Sequence, residues 1–465
     1  MSSVAADVPS GKTFLGHPRG LSVLFFTEMW ERFSYYGMTA CLILYMTGDT
    51  RHPDASLLLR AQQGLTHAFG LLGLQHVIES VYGHLDIQGL ASEIYGLYTA
   101  FVYLTPLFGG MLADRVLGQR KSVYIGGVLM AIGQFLLMSE GMFLFGLLFL
   151  IVGNGAFKPN ISTQVGGLYP EGDPRLDRAY TIFYAGINLG AFFSPIICGT
   201  LGQVYGWKWG FGAAGAGMVL GLVQYFFGQK YLAPDSLAKA RATNTENAPI
   251  TPKQWKAIIG FIVLCVFIIV FWAVYAQIGN TLQVFADKNA DWHIFGWEAP
   301  STWFQAVNPM CIFALTPLLN FLWAWQARRK KEPPSVIKMA IGCTALGLSF
   351  LPLIYITRGV PESFRVSFLW LVGSTFIFTL GEMYLSPIGL SLVVKIAPPR
   401  IVSMLMGGWF VAIFVGNYLG GHIGTYYDRM SHPAYFTMLL IASGAAGLAI
   451  FALQKPLKDA IGHDT

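Results

Sequence analysis

The sequence predicts an all-α polytopic membrane protein, and three observations carry that prediction. Of the 465 residues, 54% are hydrophobic and only 12% charged, with a mean hydropathy of +0.53. Soluble globular chains hold about 25% charged residues. Apolar runs recur at bilayer-crossing length, and Lys and Arg collect in alternate connectors. The 53 Gly and 35 Phe suit the same class, because small residues let membrane helices approach closely.

A helix that crosses the hydrocarbon needs about 20 mostly apolar residues. Stretches at about 21–47, 91–113, 121–139, 142–165, 179–201, 209–229, 256–285, 302–326, 336–356, 366–394, 401–427 and 433–454 meet that measure, giving twelve spans. Of the 30 Lys and Arg, only Arg51, Arg60, Lys208, Lys288, Arg358, Arg365 and Arg429 fall in the odd-to-even connectors. Arg32 and Lys158 lie well inside spans, and the rest sit at the termini, in the other connectors, including "ARRKK" at 327–331, or, as Lys121, Lys256 and Lys338 do, at the ends of spans that adjoin those connectors. The positive-inside rule then places both termini in the cytoplasm and requires an even number of spans. The same distribution argues against nucleic-acid binding. The first twenty residues lack the apolar core of a signal peptide, so the first span is expected to serve as the insertion signal. Cys41, Cys198, Cys265, Cys311 and Cys343 lie in apolar stretches without CxxC spacing and read as buried hydrophobes, with no disulfide or metal site implied.

The first span carries Glu28, Glu31 and Arg32 within "TEMWERFSYYG" (27–37). A charge at mid-membrane costs about 3 kcal/mol on insertion scales, so such residues face a cavity or one another. Positions 28, 31, 32, 35 and 36 follow helical spacing, which puts Tyr35 and Tyr36 on the same stripe as the charges. An i,i+4 pair locking a helix interface would account for Glu28 and Arg32, but not for Glu31 or the tyrosines. Residues 48–90 form a long outer insertion, and their apolar periodicity suggests one or two helices lying against the membrane or the protein. A re-entrant hairpin is the alternative.

Between the second and third spans, "GGMLADRVLGQRKS" (109–122) offers Gly110 for close helix contact. Asp114 and Arg115 are placed there to cap helix ends and pair at a gating interface. Lys158 lies mid-span and is followed by Pro159, which bends the helix and frees a carbonyl. Snorkelling to the interface is the alternative for that lysine, and its place in the middle of 142–165 argues against it. Residues 230–255 are polar, with Pro234, Pro249 and Pro252, and read as a linker between two six-span halves. These boundaries give an N-terminal bundle at 1–230, a cytoplasmic linker at 231–255 and a C-terminal bundle at 256–465. Glu382 lies in the tenth span, while Asn188 and Asn308 add amides that in isolation could be interhelical glue. Glu28, Glu31 and Glu382 against Arg32 and Lys158 leave one surplus negative charge. A proton is its simplest counter-ion, which points to a protonatable carboxylate without saying which. Twelve spans split six and six around a cytoplasmic linker is the layout of a major facilitator fold.

Several of these segments together resemble the proton-dependent oligopeptide transporter (POT/PTR) family of that superfamily. The resemblance rests on ExxERFxYYG at 28–37, FYxxINxG at 183–190, Lys158-Pro159-Asn160, "FQAVNP" at 304–309 and "GEMYLSPIG" at 381–389. It covers all twelve spans. The motif at 109–122 is similar to the superfamily's loop motif. The resemblance implies inward symport of di- and tripeptides with protons by alternating access. A short peptide has a carboxylate at one end and an ammonium at the other. On the family pattern, Arg32 and Lys158 meet the carboxylate with Tyr36 and Tyr103 nearby, and Tyr35 adjoins them. Asn188, Asn308 and Glu382 meet the amino end, and Trp272 and Trp409 line side-chain pockets. The peptide would then bridge the two halves at mid-membrane. Glu28 or Glu31, competing for Arg32, would take the coupling proton, and Lys158 with Glu382 would form a cytoplasmic-side gate.

Two departures stand out. Family members often carry a base two residues after the YYG glycine and an acid in the seventh span. Here those positions hold Thr39 and Ala276. The two additional helices that many bacterial members insert between the halves do not fit into 230–255, and the large outer domain of animal members is absent after span nine, which favours a prokaryotic protein in the cytoplasmic (inner) membrane. It is expected to act as a monomer and to need no cofactor. A same-fold carrier of another anion or zwitterion, such as nitrate or a peptide-like drug, is the alternative. An enzyme is disfavoured, since no HExxH and no GxSxG with a plausible triad occur. "SGKT" at 10–13 has Ala6 where a phosphate loop needs Gly.

Overall fold

The structure is a computed structural model that describes residues 16–170, 173–234, 251–361, 363–396 and 402–461. The "SGKT" stretch, linker residues 235–250 and the last four residues lie outside the described residues. In hydrocarbon, each backbone polar group must be satisfied within its own segment, so apolar runs of this length fold as helices. Among the described residues, ten helical stretches are long and apolar enough to cross a membrane: Ile87–Leu117, Glu140–Gly166, Leu176–Tyr205, Trp207–Tyr231, Gln254–Lys288, Ser301–Arg328, Ser335–Thr357, Leu369–Val393, Met404–Gly424 and His432–Ala452. Two further long helices, Arg19–Thr47 and Gln119–Leu136, stand where the first and third spans were expected. Glu28, Glu31 and Arg32 make the one more polar, and Gln119, Arg120 and Lys121 do so for the other. The count of twelve spans stays an expectation.

The described chain forms two compact units. One comprises residues 1–45, 59–74 and 101–243, and the other 46–58, 75–100 and 244–465. In the first, helix Gln119–Leu136 packs on Phe143–Gly166 and on Trp207–Gly228. In the second, Ser335–Leu348 packs on Leu369–Ile396 and on His432–Ala452, and Pro252–Tyr275 packs on Val402–Gly424. The helix after the linker starts at Pro252, four residues before the expected boundary at 256. Thr251 and Gln254 form a reciprocal capping box, with Thr251 N donating to Gln254 Oε1 (2.9 Å), and Pro252 occupies the first turn.

The insertion at 48–90 carries two helices, Leu57–Gln62 and Leu71–Tyr82, as its periodicity suggests. Leu72, Val77 and Val81 of the second are exposed. Two small sheets add to the helical architecture. Ala290–Asp291 pairs in parallel with Val366–Ser367, and a hairpin joins His293–Ile294 to Trp297–Glu298. That hairpin turns through Phe295 and Gly296, both at positive φ, as tight two-residue hairpins require.

The loop motif is corrected by one residue. A Cβ at Gly110 would meet Pro159 only at 3.7 Å, an ordinary contact, whereas one at Gly109 would overlap the Gly155 carbonyl. Gly109 is therefore the position at which the Lys158 helix comes too close for any side chain. Asp114 and Arg115 are exposed in the π-helical turn Ala113–Leu117. The capping work falls to Arg120, whose guanidinium donates to the Ala233 carbonyl (2.9 Å) and to that of Leu232.

Candidate functional site

Helical spacing brings the charges of the first span together as expected. Arg32 Nε lies 3.1 Å from Glu28 Oε1, one turn earlier, and also contacts the Glu31 carboxylate. The side chains of Glu28, Glu31 and Arg32 are 3%, 0% and 5% exposed, so the cluster is withdrawn from bulk solvent. One guanidinium between two carboxylates leaves the cluster with a net negative charge when all three ionise. Four of its polar atoms are buried without a hydrogen-bond partner; Arg32 Nε and Glu31 Oε2 meet each other as an ion pair, which leaves Arg32 Nη2 and Glu28 Oε2. Buried charged groups without partners are costly. These two are therefore the atoms most in need of a ligand group or a proton.

The tyrosine stripe continues the site. The Arg32 guanidinium lies 5.5 Å from the Tyr35 ring centre, within cation–π range, and the Tyr35 and Tyr36 rings meet edge to face at 5.3 Å. From the neighbouring helix, Asn154 Nδ2 reaches Glu31 Oε1 at 3.5 Å. One turn further along that helix, Lys158 Nζ sits 4.4 Å over the Tyr103 ring. Pro159 follows it inside the helix, and the Asn160, Ser162 and Thr163 side chains bond back to the carbonyls of Ala156, Lys158 and Pro159. Those bonds add side-chain donors to carbonyls flanking the proline, while the carbonyl that Pro159 itself leaves without a helical donor is that of Gly155, four residues back. Asn188 points back on its own helix and donates to the Tyr184 carbonyl at 3.0 Å.

The second unit holds a separate carboxylate centre. Asn308 Nδ2 donates to Glu382 Oε2 at 2.9 Å and lies 3.0 Å from Thr379 Oγ1, while the Tyr275 hydroxyl also bonds Glu382. Trp272 packs edge to face on Tyr275 at 5.0 Å, so an aromatic wall adjoins the carboxylate. Trp409 is buried against Gly389 of the Glu382 helix. Asn154, Tyr275 and Thr379 were not singled out from sequence. Each had a signal: Asn154 lies four residues before Lys158, Tyr275 three after Trp272 and Thr379 three before Glu382. Those spacings put each on a helix face already marked. The two departures are also resolved locally. Thr39 Oγ1 donates to its own helix at Tyr36 O (3.2 Å), and Ala276 is buried against Gly420.

Comparison with known proteins identifies the relatives of this chain. A family model described as "POT family" matches residues 120–239 and 236–438. The chain is 31% identical to the "Peptide transporter YePEPT" of Yersinia enterocolitica, over 98% of this chain and 97% of that one. It is 30% identical to a "Di-/tripeptide transporter" of Lactococcus lactis, over 97% and 98% respectively. A crystal structure of a peptide transporter in complex with sulfate superposes with a TM-score of 0.83, at 31% identity and 96% coverage of each chain.

Proposed function

The chain belongs to the POT family, and from that premise we propose that it is a proton-coupled symporter importing di- and tripeptides by alternating access. It is an integral membrane protein and a transporter. The reading extends this to a bacterial cytoplasmic membrane, cytoplasmic termini and a monomeric unit. The observation that carries it is the pair of centres of unlike chemistry. One offers a buried guanidinium with an unpaired Nη2 and a lysine on a phenol ring, and the other a carboxylate held by an amide and a phenol. A peptide presents the complementary groups. Arg32 and Lys158 take its carboxylate with Tyr35, Tyr36 and Tyr103 beside them, and Glu382 with Asn308 takes its ammonium. Asn188 adds to the amino-end contacts, and Trp272 and Trp409 border the side chains.

The coupling proton enters at Glu28 or Glu31. With both ionised, they hold Arg32 between them. Protonating one removes an acceptor of the guanidinium and frees an N–H for the peptide carboxylate, so proton and peptide bind together. Release on the other side reverses both steps. Lys158, Glu382, Asp114 and Arg115 contribute to gating in this reading.

Liposome uptake of labelled dialanine under an imposed pH gradient, competed with di- to tetrapeptides, tests the assignment. Uptake should follow the gradient and be competed by di- and tripeptides, and failure of every peptide to compete would sink it. In the same vesicles Glu31→Gln should abolish gradient-driven uptake while counterflow exchange persists. Unchanged driven uptake would remove Glu31 from the proton path.

A further inference from the structure

A basic cavity of about 380 Å³ lies in the first compact unit, apart from the site just described. It sits between the first turn of helix Arg19–Thr47 and the turn Gln229–Tyr231 that follows helix Trp207–Gly228. Arg19 stands about two and a half helical turns before Glu28. Glycines bring the two elements together. A Cβ on Gly20 would overlap the Tyr231 carbonyl, and one on Gly228 would overlap Val23. Arg120 fixes the chain just beyond, through the Leu232 and Ala233 carbonyls. The outcome is two bases on one ring. Arg19 Cζ lies 5.7 Å and Lys230 Nζ 5.2 Å from the Tyr231 ring centre, both within cation–π range. The ring attracts each cation and neutralises neither. Among the described residues, no carboxylate stands at ion-pair distance from either base. Ser22 spends its hydroxyl hydrogen on the Arg19 carbonyl at 2.8 Å, so Arg19, Lys230 and the Gln224 amide are the donors that line the cavity. Phe227 forms its apolar rim and is 70% exposed. Val223 and Leu220, four and seven residues earlier, are exposed on the same helix face, so an apolar stripe runs from the cavity along the span.

We propose that this cavity binds the phosphate of an anionic phospholipid, with an acyl chain laid along Phe227, Val223 and Leu220. A phosphate diester accepts charge-assisted bonds from both a guanidinium and an ammonium, and its negative charge offsets two bases that have no acid beside them. A zwitterionic headgroup brings a cation of its own toward those bases, so phosphatidylglycerol fits where phosphatidylcholine does not. The apolar stripe argues for a lipid over a soluble phosphate, which has nothing to lay against it. Basic residues on the cytoplasmic side of a membrane protein attract anionic lipid, and basic pockets between spans hold such headgroups. Bases that only obey the positive-inside rule extend into water. Here two of them are drawn onto one phenol at the mouth of a cavity. The bound lipid would tie the start of the first span to the end of the helix at 207–228. The inference takes only its inner-leaflet orientation from the transport reading and does not depend on what is carried.

The test uses full-length protein, delipidated in detergent and then offered equal concentrations of dioleoylphosphatidylglycerol and dioleoylphosphatidylcholine. Native mass spectrometry counts the lipid each molecule retains. The wild type should retain phosphatidylglycerol in preference. One base near an anionic headgroup is worth about fivefold in affinity, so Lys230→Gln should cut that preference about fivefold. Arg19→Gln combined with Lys230→Gln should cut it about twenty-five-fold, whereas Lys230→Arg should keep it. Should the double variant fail to fold, the exposed Lys230 substitution carries the test alone. Lys330→Gln with Lys331→Gln removes the same charge from an exposed connector and should leave the preference unchanged. Three results would each overturn the site: no preference in the wild type, an equal loss in the connector pair, or displacement of the lipid by inorganic phosphate at equal concentration. Uptake of dialanine is measured separately in liposomes. If uptake fails while the lipid preference persists, the transport reading falls and the lipid site stands.

Discussion

Around Arg32 two carboxylates share one guanidinium, whereas around Glu382 one carboxylate is held by an amide and a phenol. The first centre balances charge with charge, and removing one member leaves the others buried and uncompensated. The second is built from neutral donors, which keep their bonds to a carboxyl oxygen in either protonation state. The first arrangement suits a step in which a proton and an anion exchange for each other. The second suits a fixed receptor for a cation that arrives and leaves.

The largest effect should come from breaking the charged centre. Arg32→Met strands Glu28 and Glu31 without their guanidinium, and truncating one partner of a buried pair typically costs 3–5 kcal/mol, roughly. Peptide uptake should be lost and the melting transition in detergent should fall by several degrees. Arg32→Lys keeps the charge but not the planar fork, so it should recover stability ahead of transport. A melting transition unmoved in Arg32→Met would show that the cluster carries no structural burden.

The neutral centre should behave differently. Glu382→Gln keeps shape and hydrogen-bonding capacity, so stability should change by about 1 kcal/mol or less. Competition by peptides with a free amino end should fall steeply, while N-acetylated peptides, which lack the ammonium, should compete as weakly as before. Equal losses for both ligands would mean that Glu382 does not read the amino end.

Much of this contrast was legible in the sequence, because helical period alone assigns Glu28, Glu31, Arg32 and Tyr35 to one stripe. Charge placed in an apolar run marks its own importance. What periodicity does not give is which neighbour satisfies a side chain. Asn154, Tyr275 and Thr379 lie on helix faces that spacing already marks, but their partners come from other helices or depend on rotamer, so only the fold shows what they bond. Gly109 against Gly110 shows the same limit at one-residue resolution, since helix contact depends on the angle at which a neighbour arrives. Glu93 Oε1 and His422 Nδ1 meet at 2.8 Å from positions 329 apart, and no local pattern connects them. The span count also exposes a limit of apolarity: the helix richest in functional charge is one that a hydropathy measure leaves out.

The finest test of the comparison concerns Thr379. Its hydroxyl donates to the Thr375 carbonyl (2.7 Å) and accepts from Asn308 Nδ2, which also donates to Glu382. Thr379→Val keeps the shape of the side chain and removes one acceptor, leaving Asn308 its bond to the carboxylate. Side-chain hydrogen bonds inside membrane proteins average about 0.6 kcal/mol, so the melting transition should shift by a degree or two at most. If the neutral centre is a receptor assembled by several weak donors, Asn308 then loses orientation, and the apparent affinity for dialanine should drop about two- to threefold, equivalent to that same 0.6 kcal/mol, with maximal uptake rate retained. A fall in maximal rate at unchanged affinity would instead make Thr379 part of the conformational step and would bring the two centres closer in kind than their partners suggest.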